Sequence, residues 1–202
     1  NITIFGYDTK KYYTGRGPIE AVNLGVELED DDVAFRCNLI TVLKDTIVDY
    51  SAGHIKSQEA SILIKFIGQN IGTERVKFYP GVSYRHLMLV KRGTDEHLED
   101  LKCTPPHDIT GKAIGPYLPH GRGAEAINRL MRLSHKFLAD HPVNRERTER
   151  GLRPATSIWL WGQGRVPRIR KMMERFQIHG GIISAVDLLN GIGVYAGLEV
   201  IP

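Results

Sequence analysis

The side chains with the most chemistry to offer are arginines and histidines set on turns and strand faces. Arg36 lies within Asp32-Val33-Ala34-Phe35-Arg36-Cys37-Asn38-Leu39-Ile40-Thr41-Val42, a run that reads as a long buried strand. Strand side chains alternate, so Arg36 and Asn38 share one face with Ala34, Ile40 and Val42. A guanidinium buried there must find an anion or hydrogen-bond acceptors, because an unpaired buried charge is very costly. That anion is either a ligand or a nearby carboxylate; an edge strand with Arg36 in solvent is the remaining alternative. Arg16 stands in Thr14-Gly15-Arg16-Gly17-Pro18-Ile19-Glu20, where glycine and an early proline predict a helix N-terminus that favours anions, or else a simple pairing with Glu20. Pro80-Gly81-Val82-Ser83-Tyr84 turns one strand into the next and delivers Arg85 and His86 at a hairpin end. His107 and Asp108 follow two prolines, which can present an imidazole and a carboxylate for proton transfer, or leave His107 solvated. Together these groups suit a small, doubly anionic ligand and do not name a reaction.

The elements that must position them alternate strand and helix patterns. A hairpin is expected where Leu43-Lys44-Asp45-Thr46 leads into Ile47-Val48-Asp49-Tyr50, then a helix capped by Ser57 with Ile62, Leu63, Phe66 and Ile67 on one face. Strands are expected over 75–79 and 86–91, and a long proline- and glycine-rich loop over 104–123. The helix over 125–140 carries an apolar stripe of Ile127, Leu130, Met131, Phe137 and Leu138, which is core. A charged helical turn over 145–151, a strand over 157–161 and a helix over 168–176 follow. Residues 182–201 read as strand, helix, strand, which favours parallel pairing. The expected architecture is therefore a single α/β (α+β) domain, a mixed β-sheet flanked by helices, with strand 32–42 at or near its centre.

Composition sets bounds. The 202 residues can bury a sizeable core, and the formal charge of +4 fits an anionic ligand without proving nucleic-acid binding. Two cysteines give neither a disulfide framework nor a zinc-ligand spacing, so a cytoplasmic protein is expected. No apolar run approaches a membrane span. The start at Asn1 and the stop at Leu198-Glu199-Val200-Ile201-Pro202 read as the ends of a piece of something longer.

Several ordered blocks carry a family resemblance: Gly6-Tyr7-Asp8, Tyr12-Tyr13-Thr14-Gly15-Arg16-Gly17-Pro18-Ile19-Glu20-Ala21, Asp32-Val33-Ala34-Phe35-Arg36-Cys37-Asn38, Pro80-Gly81-Val82-Ser83-Tyr84-Arg85-His86, His141-Pro142-Val143-Asn144 with Arg147, and Gly151-Leu152-Arg153-Pro154-Ala155. In these the chain resembles the archaeal-type, cofactor-independent phosphoglycerate mutases of the alkaline phosphatase superfamily. The resemblance implies a larger metal-dependent phosphotransferase. Its phosphatase domain would hold a pair of divalent ions (Mn2+ or Mg2+) and a serine nucleophile, and residues 1–202 would be the inserted, substrate-binding domain. It implies no metal ligand within this chain, the nucleophile just before Asn1, and two partners: phosphoglycerate and the missing metal-binding domain. Arg16, Arg36, Asn38, Arg85, His86, Asn144 and Arg147 would hold the substrate, with His107 and Asp108 assisting proton movement. The implied reaction interconverts 3-phosphoglycerate and 2-phosphoglycerate through a phosphoserine. Asp49-Tyr50-Ser51-Ala52-Gly53-His54-Ile55 and Trp159-Leu160-Trp161-Gly162-Gln163-Gly164 look more like a bacterial branch proposed to phosphorylate homoserine, although the chain has no P-loop for a nucleotide donor. A basic RNA-binding module is a third reading, supported by Arg145 to Arg153 but not by interleaved aromatics. No nucleic acid and no membrane are expected as partners.

Overall fold

The computed structural model of the protein describes residues 2–201. After a 3-10 turn come two helices, α1 (Thr9–Tyr12) and α2 (Arg16–Asn23), then strand β1 (Val33–Leu43). The chain continues through β2 (Thr46–Asp49), α3 (Ser57–Ile71), β3 (Val76–Tyr79) and β4 (Arg85–Val90). Beyond the loop are α4 (Ala124–Leu138), α5 (Pro142–Glu149) and β5 (Ser157–Gly164). The last elements are α6 (Met172–Phe176), β6 (Gly181–Ile182), α7 (Asp187–Tyr195) and β7 (Glu199–Val200).

β1 is the centre of a five-stranded sheet, as its apolar content on both faces requires. It pairs antiparallel with β4 (Arg36↔Leu87, Asn38↔Arg85) and with β5 (Arg36↔Trp161, Asn38↔Trp159), while β2 folds back on its C-terminal end. β3 lies outside β4. The face carrying Val33, Phe35, Cys37 and Leu39 meets Leu63, Ile64 and Ile67 of α3 and Ile127, Met131 and Leu138 of α4 in one continuous core. The opposite face carries Ala34, Arg36 and Asn38, and α2 lies against it, packing Ala21 on Ala34, Leu87 and Leu89.

The fold is α/β, with its parallel and antiparallel strands in separate sheets. Every pairing in the five-stranded sheet is antiparallel, and the strand-helix-strand unit at 181–200 makes its own two-stranded parallel sheet. That sheet belongs to a second core, in which Ile2, Tyr7 and Ile19 meet Ile192 and Ala196. Three local expectations shift. Lys56 rather than Ser57 caps α3, because the Ser57 hydroxyl accepts the Ser83 N–H, and Ile62 faces solvent. The helix expected from Arg168 begins only at Met172: Arg168 pairs with Asp30, and Arg168 with Lys171 would set like charges on one helical face. The 104–123 loop is ordered, with 3-10 turns at Pro106–Ile109 and Gly115–Tyr117 and with the Trp159 indole donating to the Thr104 carbonyl.

Candidate functional site: an arginine cluster on the open face of the sheet

Three guanidiniums gather on the α2 face of β1. Arg36 is 2% exposed, and its Nη1 donates to Glu20 Oε1 at 2.6 Å. The same oxygen accepts from Arg16 Nε at 3.0 Å and Nη2 at 2.7 Å. Helical geometry explains half of this, since Arg16 and Glu20 are one turn apart on α2; the other half is the seating of α2 on β1. Arg36 Nε is buried without a partner. Burial pulls the Arg36 pKa down and Glu20 offsets this only in part, with Arg16 and Arg85 adding to the fall; a guanidinium keeps its charge all the same. Arg85 lies across from Asn38 on the same face and, with Arg16 and Glu20, lines a cavity of about 140 Å3. Three guanidiniums against one carboxylate leave a net of two positive charges, with Arg36 buried and Arg16 and Arg85 partly open to solvent.

Trp161 organises the cluster. Its ring lies 5.0 Å from the Arg36 guanidinium and 5.4 Å from that of Arg16, both within cation–π range. Its indole N–H donates to Asn38 Oδ1 at 3.1 Å, and Asn38 Nδ2 reaches the Tyr50 carbonyl at 3.4 Å. Directly after it, β5 bulges against β1 between Ala34 and Arg36, with Gly162 at φ +61°. A side chain at Gly162 would be strained there and would press on the stem of Arg16, with that of Arg36 in ordinary contact. The His107 ring packs edge-on to Trp161 at 5.5 Å and to Tyr50 at 6.1 Å, with Asp108 3.7 Å from its Nε2. Beside Trp161 an open concavity of about 590 Å3 is bounded by Tyr13, Gly15, Cys103, Thr104 and His120.

Thus Arg16, Arg36 and Arg85 converge and His107 adjoins them, while the other expected ligands take different roles. His86 pairs with Cys37, so strand alternation turns it to the core face, away from Arg36. Its Nδ1 accepts the Gly81 N–H, and burial first, with Arg36 and Arg85 second, lowers its pKa to about 3, so the ring is neutral and no anion clamp. Asn38 serves as a bracket for Trp161. Asn144 spends its amide on Leu138 and Ala155, and Arg147 spends its guanidinium on Glu59, Ala52 and Arg153. Both are buried braces between α5 and the core, with the Asn144 amide filled and a protein acceptor on each nitrogen of Arg147. The turn of Arg147 inward also removes the middle of the basic run that an RNA surface would need. Glu20, Trp161 and Tyr13 are the site residues that sequence reading missed. Glu20 had a signal, its spacing of four from Arg16; the place of Trp161 opposite Arg36 is set by strand pairing that the sequence does not show.

The carboxylates of Glu29, Asp31 and Asp32 come within 4.8 Å of one another. Asp32 is already bonded by the N–H groups of Glu29 and Arg92, and the Lys91 ammonium sits 3.1 Å from both Asp32 and Glu29. These residues do not fit a catalytic metal pair. A further cavity, about 700 Å3 and mostly apolar, lies between α4 and the 113–118 loop, lined by none of Arg16, Arg36 and Arg85. No helix of the described residues is long and apolar enough to cross a membrane.

Residues 1–144 match the family described as 2,3-bisphosphoglycerate-independent phosphoglycerate mutase. The chain belongs to that family. A Methanosarcina barkeri protein named as such a mutase is 52% identical over 201 residues, which cover 100% of this chain and 50% of the relative. A Geobacter sulfurreducens protein named as a probable mutase is 49% identical over 209 residues, with the same coverage of 100% and 50%. The structure of a cofactor-independent phosphoglycerate mutase from Thermoplasma acidophilum superimposes with a TM-score of 0.67 at 28% identity, over 100% of this chain and 55% of that one. The chain therefore spans about half the length of the curated relatives it matches. Arg16, Glu20 and Arg36 all fall inside the stretch matched to the mutase family.

Proposed function

We propose that residues 1–202 supply the anion-gripping surface of a phosphoglycerate mutase that interconverts 3-phosphoglycerate and 2-phosphoglycerate through a phosphoserine. The serine nucleophile and a divalent metal pair would lie in the remainder of the full-length chain, which would be the second partner of this surface. When bound, the metals would neutralise charge on the transferring phosphoryl group. The observation that carries this reading is the shared Glu20 oxygen, which holds Arg16 and Arg36 side by side while Arg36 Nε stays buried without a protein partner. A guanidinium fork binds a carboxylate or phosphate through two bonds, and here two forks are oriented before the ligand arrives. Arg85 adds a third cation, lining with Arg16 and Glu20 the small cavity beside them. His107, with Asp108 beside it, stands at the edge of Trp161, where an imidazole can carry a proton between the two hydroxyls of a glycerate.

The test is an assay of the full-length protein with 3-phosphoglycerate and, separately, with homoserine plus ATP. Formation of 2-phosphoglycerate with no nucleotide present supports the mutase. Phosphate transfer to homoserine with no mutase turnover overturns it.

A further inference from the structure

The cavity of about 700 Å3 beside α4 has three walls, and hydrogen bonds pin each of them. The first is the tip of the β1–β2 hairpin. Leu43 pairs with Thr46, so Lys44 and Asp45 form a two-residue turn, and both take the positive φ such a turn demands, +46° and +57°. The second is the loop carrying Ile114, Pro116 and Leu118. It is strapped to the hairpin like a short extra strand: the Gly111 N–H donates to the Ile47 carbonyl, the Ile47 N–H to the Lys112 carbonyl, and the Ile114 N–H to the Asp45 carbonyl. The third is the edge of β5 with α4 against it. There the Ser134 hydroxyl accepts the Ile158 N–H at 3.0 Å, His135 Nδ1 donates to the Thr156 carbonyl at 2.9 Å, and the Trp159 indole is tied to Thr104. Anchors on every side give the cavity a fixed shape, and its volume falls within the roughly 300–1,000 Å3 of small-molecule sites. None of its lining residues belongs to the small core formed near the two chain ends.

The lining is sorted by polarity. Ile114, Leu118, Met131 and Trp159 make most of it apolar, while both signs of charge stand together at the hairpin tip. The Lys44 ammonium and the Asp45 carboxylate line the cavity, and neither is in an ion pair among the described residues. Arg132 on α4 is already held by Glu125. We propose that this cavity binds a zwitterionic amino acid with an apolar side chain: its carboxylate on Lys44, its ammonium on Asp45 and its side chain against the apolar walls. A purely apolar ligand would leave both charges unanswered, and a simple anion would meet Asp45 as a repulsion. A zwitterion answers both, and the apolar walls select the side chain by the surface they remove from water. This site is separate from the arginine cluster and makes no use of the mutase reading.

Calorimetric titration of the full-length protein with L-tryptophan tests this, alongside tryptamine, which lacks the carboxylate, and indole-3-propionate, which lacks the ammonium. L-Tryptophan should bind once per chain with a Kd below about 1 mM, and each analogue at least about threefold more weakly. Asparagine tolerates the left-handed turn, so Lys44→Asn and Asp45→Asn should keep the thermal midpoint. Lys44→Asn should weaken L-tryptophan at least about threefold and leave tryptamine unchanged, and Asp45→Asn should weaken L-tryptophan equally and leave indole-3-propionate unchanged. Leu118→Gln should weaken all three. Absence of saturable binding, or analogues that bind as well as L-tryptophan, overturns the proposal. Displacement by inorganic phosphate, or loss of binding in Arg36→Ala with both hairpin variants binding normally, assigns the amino acid to the arginine cluster and overturns it too. A dimer by light scattering whose formation excludes L-tryptophan assigns the cavity to a second copy, with the same consequence.

Discussion

Arg36 and Arg147 are equally buried, each 2% exposed, and both lie in blocks that resemble the same family, yet their surroundings differ in kind. Arg147 donates from Nε to Arg153, from Nη1 to Glu59 and from Nη2 to Ala52, so every nitrogen of its guanidinium has an acceptor. Arg36 has one charged partner, which it shares with Arg16, one orphaned nitrogen and an aromatic ring. The two arginines even lean on the same loop: Ala52 receives Arg147, and Tyr50 holds the Asn38 that brackets Trp161. Burial alone therefore says little about role. A buried charge with a protein acceptor on each nitrogen acts as a brace, and one with an orphaned nitrogen is a candidate for something else to bind.

The sharpest way to break this contrast is to remove each guanidinium in turn. Arg147→Ala leaves Glu59 and two carbonyls without donors and should cost about 3–5 kcal/mol, read as a lower urea midpoint. The folded fraction should keep its activity within about twofold. If the folded variant is inactive, Arg147 touches the ligand and the distinction fails.

Arg36→Ala comes next. Glu20 keeps Arg16 as a partner, so the stability loss should be smaller than for Arg147→Ala. Under the proposed mutase function, use of phosphoglycerate by the full-length protein should fall by roughly two powers of ten, equivalent to about 3 kcal/mol. Full activity in that variant would make Arg36 a second brace.

This contrast also marks how far the sequence was legible. The length and two-sided apolar content of 33–42 were enough to place β1 at the sheet centre, because burial on both faces leaves few other positions. The face shared by Arg36 and Asn38 followed from a period of two. Nothing in Asn144 or Arg147 could show that their donors are filled, since Glu59, Ala52 and Arg153 reach Arg147 only through the tertiary fold. His86 was misplaced for a related reason: adjacency to Arg85 in sequence puts the two on opposite faces of a strand. The parallel character of 182–201 was readable from strand-helix-strand order, but whether that pair joins the main sheet was not, because sheet membership is decided by long-range packing.

His86 tests whether an unfilled nitrogen always signals a site. Its Nε2 is buried without a partner, like Arg36 Nε, but it faces the core and carries no charge. With a native pKa lowered from 6.5 to about 3, the unfolded chain takes up a proton that the folded one refuses. Stability from this group is therefore present above pH 6.5 and lost as pH falls toward 3, by at most about 1.4 kcal/mol per pH unit. Urea midpoints measured across that window should slope less in His86→Gln than in wild type, with activity at neutral pH little changed. Equal slopes would remove His86 as the cause. A large loss of activity would return it to the clamp.

The smallest expected effect belongs to Trp161, which links the bracket to the clamp. Trp161→Phe keeps a ring beside Arg36 and Arg16 but deletes the N–H that Asn38 Oδ1 accepts. An acceptor left unpaired in the interior costs about 1–2 kcal/mol, so the urea midpoint should move modestly. The more telling quantity is coupling. If Trp161 acts by steadying the Arg36 guanidinium, then once Arg36 is replaced by lysine, whose ammonium cannot stack or fork in the same way, the second substitution has less left to disturb. A double-mutant cycle of Trp161→Phe with Arg36→Lys, read in kcat/KM for phosphoglycerate, should then show a coupling of at least about 0.5 kcal/mol. Strict additivity would mean that the indole merely fills space under β5, and that the orientation of Arg36 rests on Glu20 alone.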